Sequence, residues 1–226
     1  MLEMLSLAVL ERPRILLYKP DSVILRGSRV TLVPAVAEAD ALALFENSNG
    51  SVVTLGELTA EPYDAEEKIW RFLFEGPYND VDSFTNGLVK WIEAPNGLCF
   101  TVVHNESGRQ IGVVNYMRNH PEHLRIEIGG IWYTPAVQRT GVNTESVFLL
   151  LKHAFGLGYR RIEWKCHSEH IRSRNAALRL GFTFEGIQEA HMIWKGSSRD
   201  TAWFRMLDSE WPEAKSRLES MLESSA

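Results

Sequence analysis

The stretch Ile131–Glu145, IWYTPAVQRTGVNTE, decides how this chain is read. A strand ends at Tyr133, a loop carries Gln138-Arg139-Thr140-Gly141, and a long helix begins at once. The spacing predicts a helix over Gly141–Gly156, because Val147, Leu150, Leu151 and Ala154 fall at i, i+3, i+4 and i+7 and form one apolar stripe. The first N–H groups of such a helix have no partner within it, and the macrodipole adds about half a positive charge there. A glycine at that end lets backbone approach an anion closely, so a phosphate fits. Neither G-x-G-x-x-G nor G-x-x-x-x-G-K-[ST] occurs, which removes the commonest nucleotide loops.

The flanking segments supply a sheet. Arg125–Tyr133 alternates, with Arg125 and Glu127 on one face and Ile126 and Ile128 on the other. Upstream, Leu98–His104 and Gln110–Arg118 are joined by Asn105-Glu106-Ser107-Gly108, the pattern of a hairpin. Downstream, Arg161–Cys166 turns Ile162, Trp164 and Cys166 inward, and a short helix over about Ser173–Leu180 stops at Gly181. Strands Phe182–Glu189 and Thr201–Leu207 flank a turn at Lys195-Gly196-Ser197-Ser198, and Trp211-Pro212 opens a final acidic helix. Nearer the start, a strand is predicted at Arg29–Val33 and helices at Ala37–Asn47 and Val81–Glu93. Between them Ser51–Asp80 is irregular and aromatic; it reads either as a substrate-covering element or as aromatics packed onto the sheet. The order predicts a mixed α/β (α+β) fold with antiparallel flanks, in one domain over residues 28–212. Residues 1–27 read as an N-terminal extension and 213–226 as a C-terminal helix and tail.

Composition narrows the function. With 45% hydrophobic and 23% charged residues the chain is an ordinary globular one. No apolar run reaches the ~18 residues of a membrane span. Leu5–Leu10 is too short for a signal segment, and Glu3 precedes it instead of a positive cluster. Cys99 and Cys166 make no disulfide framework, so a cytoplasmic setting is expected. His167 and His170 lie three apart with no third ligand in view, so no metal site is expected. The net charge of −5 disfavours nucleic acid as a partner. The charge is uneven: Arg139–Arg179 holds eight Lys/Arg against Glu145, Glu163 and Glu169, leaving the rest of the chain strongly acidic. Such an island suggests a compact anionic ligand, or else scattered solvated arginines.

Four segments in order carry a resemblance. Gln138-Arg139-Thr140-Gly141-Val142-Asn143 resembles the Q/R-x-x-G-x-G/A pyrophosphate loop of the GCN5-related N-acetyltransferases. Ser173–Phe182 resembles the helix-then-Gly-Phe segment that ends the acetyl-CoA region of that family. Phe184-Glu185-Gly186, then His191–Gly196 and Arg199–Phe204, resemble the subgroup that includes the ribosomal-protein alanine acetyltransferases. The resemblance implies a mostly antiparallel central sheet flanked by helices, with acyl-CoA bound where the sheet splays at the strand Arg125–Tyr133. It places Ile131, Trp132 and Tyr133 along the pantetheine arm, and Arg139, Thr140, Gly141, Val142, Asn143 and Thr144 around the pyrophosphate. Gln138, His170 and Arg174 join the cofactor set, and Ser173 approaches the cofactor sulfur. Two positions depart from the family pattern: Asn143 stands where Gly or Ala is usual, and His170 where an asparagine often holds the pantetheine.

Acetyl transfer from acetyl-CoA to an amine needs a base, oxyanion donors and a proton for the leaving thiolate. Ser173 is the candidate acid, or alternatively the N-cap of its helix. Glu127 is the candidate base, or a solvated or salt-bridged strand residue. His191 is a second base, a substrate contact or a structural histidine. The expected partners are acyl-CoA and an amine, with a homodimer left open. A competing reading keeps the acyl-CoA pocket without amine acetylation; a ribosome- or RNA-associated module is disfavoured by the acidic balance outside the island.

Overall fold

The structure, a computed structural model, describes residues 4–224; Met1–Glu3, with the Glu3 reading above, and the last two residues lie outside the described residues. The first half runs α1 (Leu7–Glu11), β1 (Leu25–Arg26), β2 (Val30–Pro34), α2 (Ala37–Glu46), β3 (Val53–Leu55), β4 (Leu58–Ala60) and α3 (Val81–Ile92). The second half runs β5 (Leu98–His104), β6 (Gln110–His120), β7 (Arg125–Tyr133), α4 (Val142–Gly156), β8 (Arg161–His167), α5 (Ile171–Leu180), β9 (Thr183–Trp194), β10 (Ser197–Leu207) and α6 (Trp211–Glu223).

One eight-stranded sheet has the order β1-β2-β5-β6-β7-β8-β10-β9. Every neighbouring pair is antiparallel except β7 with β8, which α4 joins by a crossover. Period-2 alternation sends successive residues to two cores. Phe100, Val114, Ile126 and Ile128 pack with Val147, Leu150 and Leu151 of α4 on one face. Cys99, Val113 and Trp132 pack with Leu44, Trp70, Phe84 and Leu88 on the other.

The segments flanking residues 28–212 pack onto the rest of the fold. The expected extension contains β1, which pairs with β2 through Leu25↔Leu32 and Arg26↔Thr31. Asn119, fully buried, donates to the carbonyls of Leu17 and Tyr18 at 2.8 and 3.0 Å, stitching the same segment down. At the other end the expected helix is α6, and it is packed down: Trp211 stacks on Phe155 with ring centres 5.2 Å apart, and Ala214 and Leu218 are buried. The strands of the last hairpin also run longer than expected, so His191 and Arg199 lie within them, and the turn contracts to Lys195-Gly196.

Candidate active site

Strands β7 and β8 pair for only three residues, Arg125↔Arg161, Ile126↔Ile162 and Glu127↔Glu163, and then diverge. A buried charge cluster holds the point of divergence. Lys165 Nζ lies 2.9 Å from Glu127 and 3.1 Å from Glu163, with its side chain only 5% exposed. Arg125 and Arg161 complete the shell of Glu163 at 3.1 and 2.9 Å. Burial pushes the Glu163 carboxyl up, but Lys165, Arg161 and Arg125 outweigh it and hold it below the usual carboxylate range. Just past this cluster β7 bulges. Gly130 has φ +57, and buried Asn115 donates to the carbonyls of Gly129 and Gly130. A side chain at position 130 would place its Cβ 2.6 Å from Asn115 Nδ2, so the bulge requires glycine. A cleft of about 220 Å³ opens beyond it.

At one end of the cleft lies the loop before α4. Gly141 is the N-cap at φ +87, and a Cβ there would meet nothing nearer than Arg29 Nε at 3.6 Å. Backbone conformation, and not space, is what asks for glycine. Arg139 also adopts φ +69. Gln138 donates to the Tyr133 carbonyl and Thr140 to the Val137 carbonyl, which shapes the turn. Glu145, in the first turn of α4, would repel an anion if it faced one. Instead its carboxylate accepts from Ser28 N, Ser28 Oγ, Arg29 N and Val30 N at 2.7–2.9 Å and is 4% exposed. The amides of Val142, Asn143 and Thr144 are left without helical acceptors, as at any helix start. Thr144 Oγ1 accepts from Arg179 at 2.7 Å.

The opposite wall is the start of α5. That helix begins at Ile171 with His170 as N-cap, so Ser173 is its third residue and the N-cap alternative for Ser173 is corrected. Ser173 Oγ accepts from Trp164 Nε1 at 3.1 Å, and its hydroxyl also hydrogen-bonds the buried Cys166 thiol, so its proton is shared with Cys166 until a stronger acceptor enters the cleft. His170 stacks on Phe72 at 4.4 Å and 17°. Burial, then the charges of Arg172, His167 and Arg199, push its pKa down to about 4, so it is neutral at pH 7. His191 meets Thr201 Oγ1 through Nδ1 at 2.9 Å; burial and then Arg118 and Arg199 lower its pKa, favouring a neutral, proton-accepting ring.

The structure therefore gathers Glu127, Ile131, Trp132, Tyr133, Gln138 and Asn143 around one cleft, and His170, Ser173 and His191 with them. Arg139, Thr140, Gly141, Val142 and Thr144 form the adjoining loop and helix start. Arg174 is outside the cleft lining; it donates to the Ser168 carbonyl and lies over the Phe184 ring at 5.6 Å. Glu127 is salt-bridged to Lys165 and also lines the cleft, so both of its readings remain open. The positive island is partly neutralised, since Arg161 and Lys165 serve Glu163 inside it and Glu185 and Glu127 outside it.

The irregular segment packs its aromatics onto the sheet and also borders the cleft. Trp70, at the end of a π-helical turn (Glu66–Trp70), is buried against Trp132, Tyr78 and Phe84, while Phe72, Leu73 and Phe74 line the cleft. Three donors pin its backbone: Trp194 to the Leu73 carbonyl, Lys195 to that of Trp70 and Arg172 to that of Glu67. Sequence reasoning missed Lys165, Arg118 and Arg199 as cleft residues. For Lys165 a signal existed, because it shares the strand face of Glu163, whose register partner is Glu127.

A sheet splayed between two parallel strands, beside a glycine-led helix start, defines an acyl-CoA-binding acetyltransferase architecture, and the comparisons agree. The acetyltransferase (GNAT) domain family matches residues 29–183, and the chain belongs to that family. It is similar to a GCN5-related N-acetyltransferase from Brucella melitensis, with 39% identity, TM-score 0.81, and 89% of this chain and 86% of that one covered. It is also 29% identical, over 102 residues, to the ribosomal-protein-serine acetyltransferase of Escherichia coli K12. That match spans 44% of this chain and 56% of the relative, little more than half its length. A Salmonella typhimurium acetyltransferase that modifies the N-terminal serine of ribosomal protein L7/L12 shares the fold, with TM-score 0.67, 17% identity, and 82% of this chain and 99% of that one covered. Members of the family use acetyl-CoA as co-substrate. Among the described residues no three His, Cys, Asp or Glu side chains are grouped to hold a metal, and no helix is long and apolar enough to cross a membrane.

Proposed function

We propose that the protein is an acetyl-CoA-dependent N-acetyltransferase that acylates a primary amine, of a small molecule or a protein N-terminus, by direct attack. The observation that carries this reading is the divergence of β7 from β8 after Glu127, opening toward the Gly141 helix start. Bound acetyl-CoA supplies an activated thioester. The edge of Ile131–Tyr133 that β8 leaves unpaired is available to hydrogen-bond an extended amide-bearing arm as an added strand would. The open approach at Gly141 and the amides of Val142–Thr144 suit a pyrophosphate. Asn143, on the cleft wall, touches the ligand side of that loop, and His170 offers a neutral ring.

In this reading Ser173 donates the proton that the departing sulfur needs, its oxygen being held by Trp164. Glu127 and His191 face the amine side of the cleft and receive the amine's proton. Lys165 already occupies one Glu127 oxygen, which gives His191 the larger share. The names of the Escherichia coli and Salmonella proteins support a protein N-terminus as one acceptor class. A cytoplasmic enzyme without membrane or nucleic-acid partners goes with the same reading. The test is a mass-spectrometric screen of amines and N-terminal peptides with acetyl-CoA. Tight acetyl-CoA binding without acetylation of any amine would favour the binding-protein alternative, for which the Lys165-bound Glu127 is the supporting observation.

A further inference from the structure

Six cationic side chains line the cleft, Lys68, Arg71, Arg118, Lys165, Arg172 and Arg199, against one carboxylate, Glu127. Five of them have partners or water. Lys165 and Arg118 stand 2.9 and 3.8 Å from Glu127. Arg71 pairs with Glu67, Arg172 donates to the Glu67 carbonyl, and Lys68 is exposed. Arg199 differs. It is 4% exposed, and its Nε has no hydrogen-bond partner among the described residues. The contact it does make is to an aromatic face, with Cζ 5.0 Å from the Phe74 ring centre.

Glu127 acts on its charge only through space, without a hydrogen bond, and the adjacent carboxylate does not come to its aid. The β9–β10 register slips between Arg199 and Thr201, and the residue at the slip, Asp200, accepts from the Ala190 amide at 2.8 Å. The irregularity thus aims the guanidinium into the cleft while Asp200 is engaged elsewhere. Removing a guanidinium from water without an anion is strongly unfavourable, and arginine does not escape by losing its proton. A cation–π contact recovers only part of that cost. The planar fork of N–H donors matches a carboxylate.

We infer that Arg199 seats a carboxylate carried by the acceptor, so that the substrate is an amine with an acid group close to its nitrogen. This rests on the acetyl-transfer reading and deepens it. The carboxylate could come from a free amino acid or from an acidic residue beside a peptide N-terminus. In both cases the cleft presents the same chemistry: Arg199 takes the acid, and the amine points toward Glu127 and His191.

The test uses product-like probes, so that no turnover is needed. N-acetylserine is compared with its carboxamide, and an N-acetyl-Ser-Asp peptide amide with its Ser-Asn counterpart, by thermal-shift titration of the full chain with CoA present. The wild type should bind the acid of at least one pair roughly 10- to 100-fold more tightly, the range of charged hydrogen bonds. Which pair responds identifies the source of the acid. Arg199→Gln should collapse that preference and Arg199→Lys should restore part of it. Equal binding of acid and neutral probes by the wild type, or an unchanged preference in Arg199→Gln, overturns the inference. Because Arg199→Gln deletes a buried charge that no carboxylate hydrogen-bonds, its Tm without ligand should match or exceed the wild type; a clear fall would mark a structural arginine and also overturn it. Turnover of the matching unacetylated amines separates the two claims. Acid-selective binding with no acetylation of any amine sinks the transfer reading alone, whereas acetylation with no acid preference sinks this inference alone.

Discussion

Acidification should destabilise this protein through His170. Its pKa lies at about 4 in the folded chain against 6.5 for the free group, because burial and then Arg172, His167 and Arg199 oppose its charge. A histidine with a depressed folded pKa binds more protons when unfolded, so its contribution is fully present above 6.5 and is lost as pH falls toward 4. The difference of about 2.5 units corresponds to about 3 kcal/mol, of which about 2 kcal/mol is lost by pH 5. The perturbation is therefore pH itself, set against His170→Gln, which cannot titrate. Urea unfolding of both proteins from pH 7.5 to 4.5 gives two curves of stability against pH. Groups common to both cancel in their difference, leaving the His170 part. That difference should narrow by about 2 kcal/mol between pH 7 and pH 5 as the wild type loses its advantage. Parallel curves would refute the reasoning and show that water reaches the ring behind Phe72.

Gly141→Asp should abolish acetyl-CoA binding in calorimetry by placing bulk and like charge on the anion approach; at φ +87 it should cost only ~1–2 kcal/mol of stability, and undiminished affinity in the folded variant would sink the phosphate-loop assignment. Ser173→Ala should lower turnover by ~10²–10⁴-fold with little change in acetyl-CoA affinity, while unpairing Trp164 Nε1 should cost ~1–2 kcal/mol in denaturant melts; wild-type turnover would remove the serine from the proton path. Glu145→Gln should destabilise the fold by about 3 kcal/mol, since a neutral amide accepts poorly from three backbone N–H groups and the Ser28 hydroxyl; a change under ~0.5 kcal/mol would show that the carboxylate is replaceable.

The fold was legible where pattern and packing coincide. Arg125–Tyr133 alternates and is a strand with those bounds, and the stripe of Val147, Leu150, Leu151 and Ala154 is buried as the core face of α4. The N-terminal segment was not, because its anchors are made from afar: Asn119 to Leu17 and Tyr18, and Glu145 to Ser28–Val30. Local sequence carries no trace of a partner a hundred residues away. The site follows the same division. Gly141 before a helix announces itself, whereas Arg199 stands in a segment of resemblance with no role until the hairpin places it against Phe74. Glu127 showed its face in the alternation but not its partner, since Lys165 arrives only through the parallel crossover.

The cover over the cleft is fastened by its carbonyls. Trp194, Lys195 and Arg172 grip the backbone oxygens of Leu73, Trp70 and Glu67, and none of these bonds depends on the side chain at the accepting position. Phe72, Leu73 and Phe74 can therefore change identity while the ribbon that carries them keeps its course. In evolutionary terms this separates two demands that often conflict, because drift in the residues facing the cleft removes ring contacts but leaves these three backbone attachments in place. Under the proposed function, a lineage of such proteins trades one acceptor for another by rewriting three adjacent codons, with α5 and the β9 hairpin end as an unaltered frame.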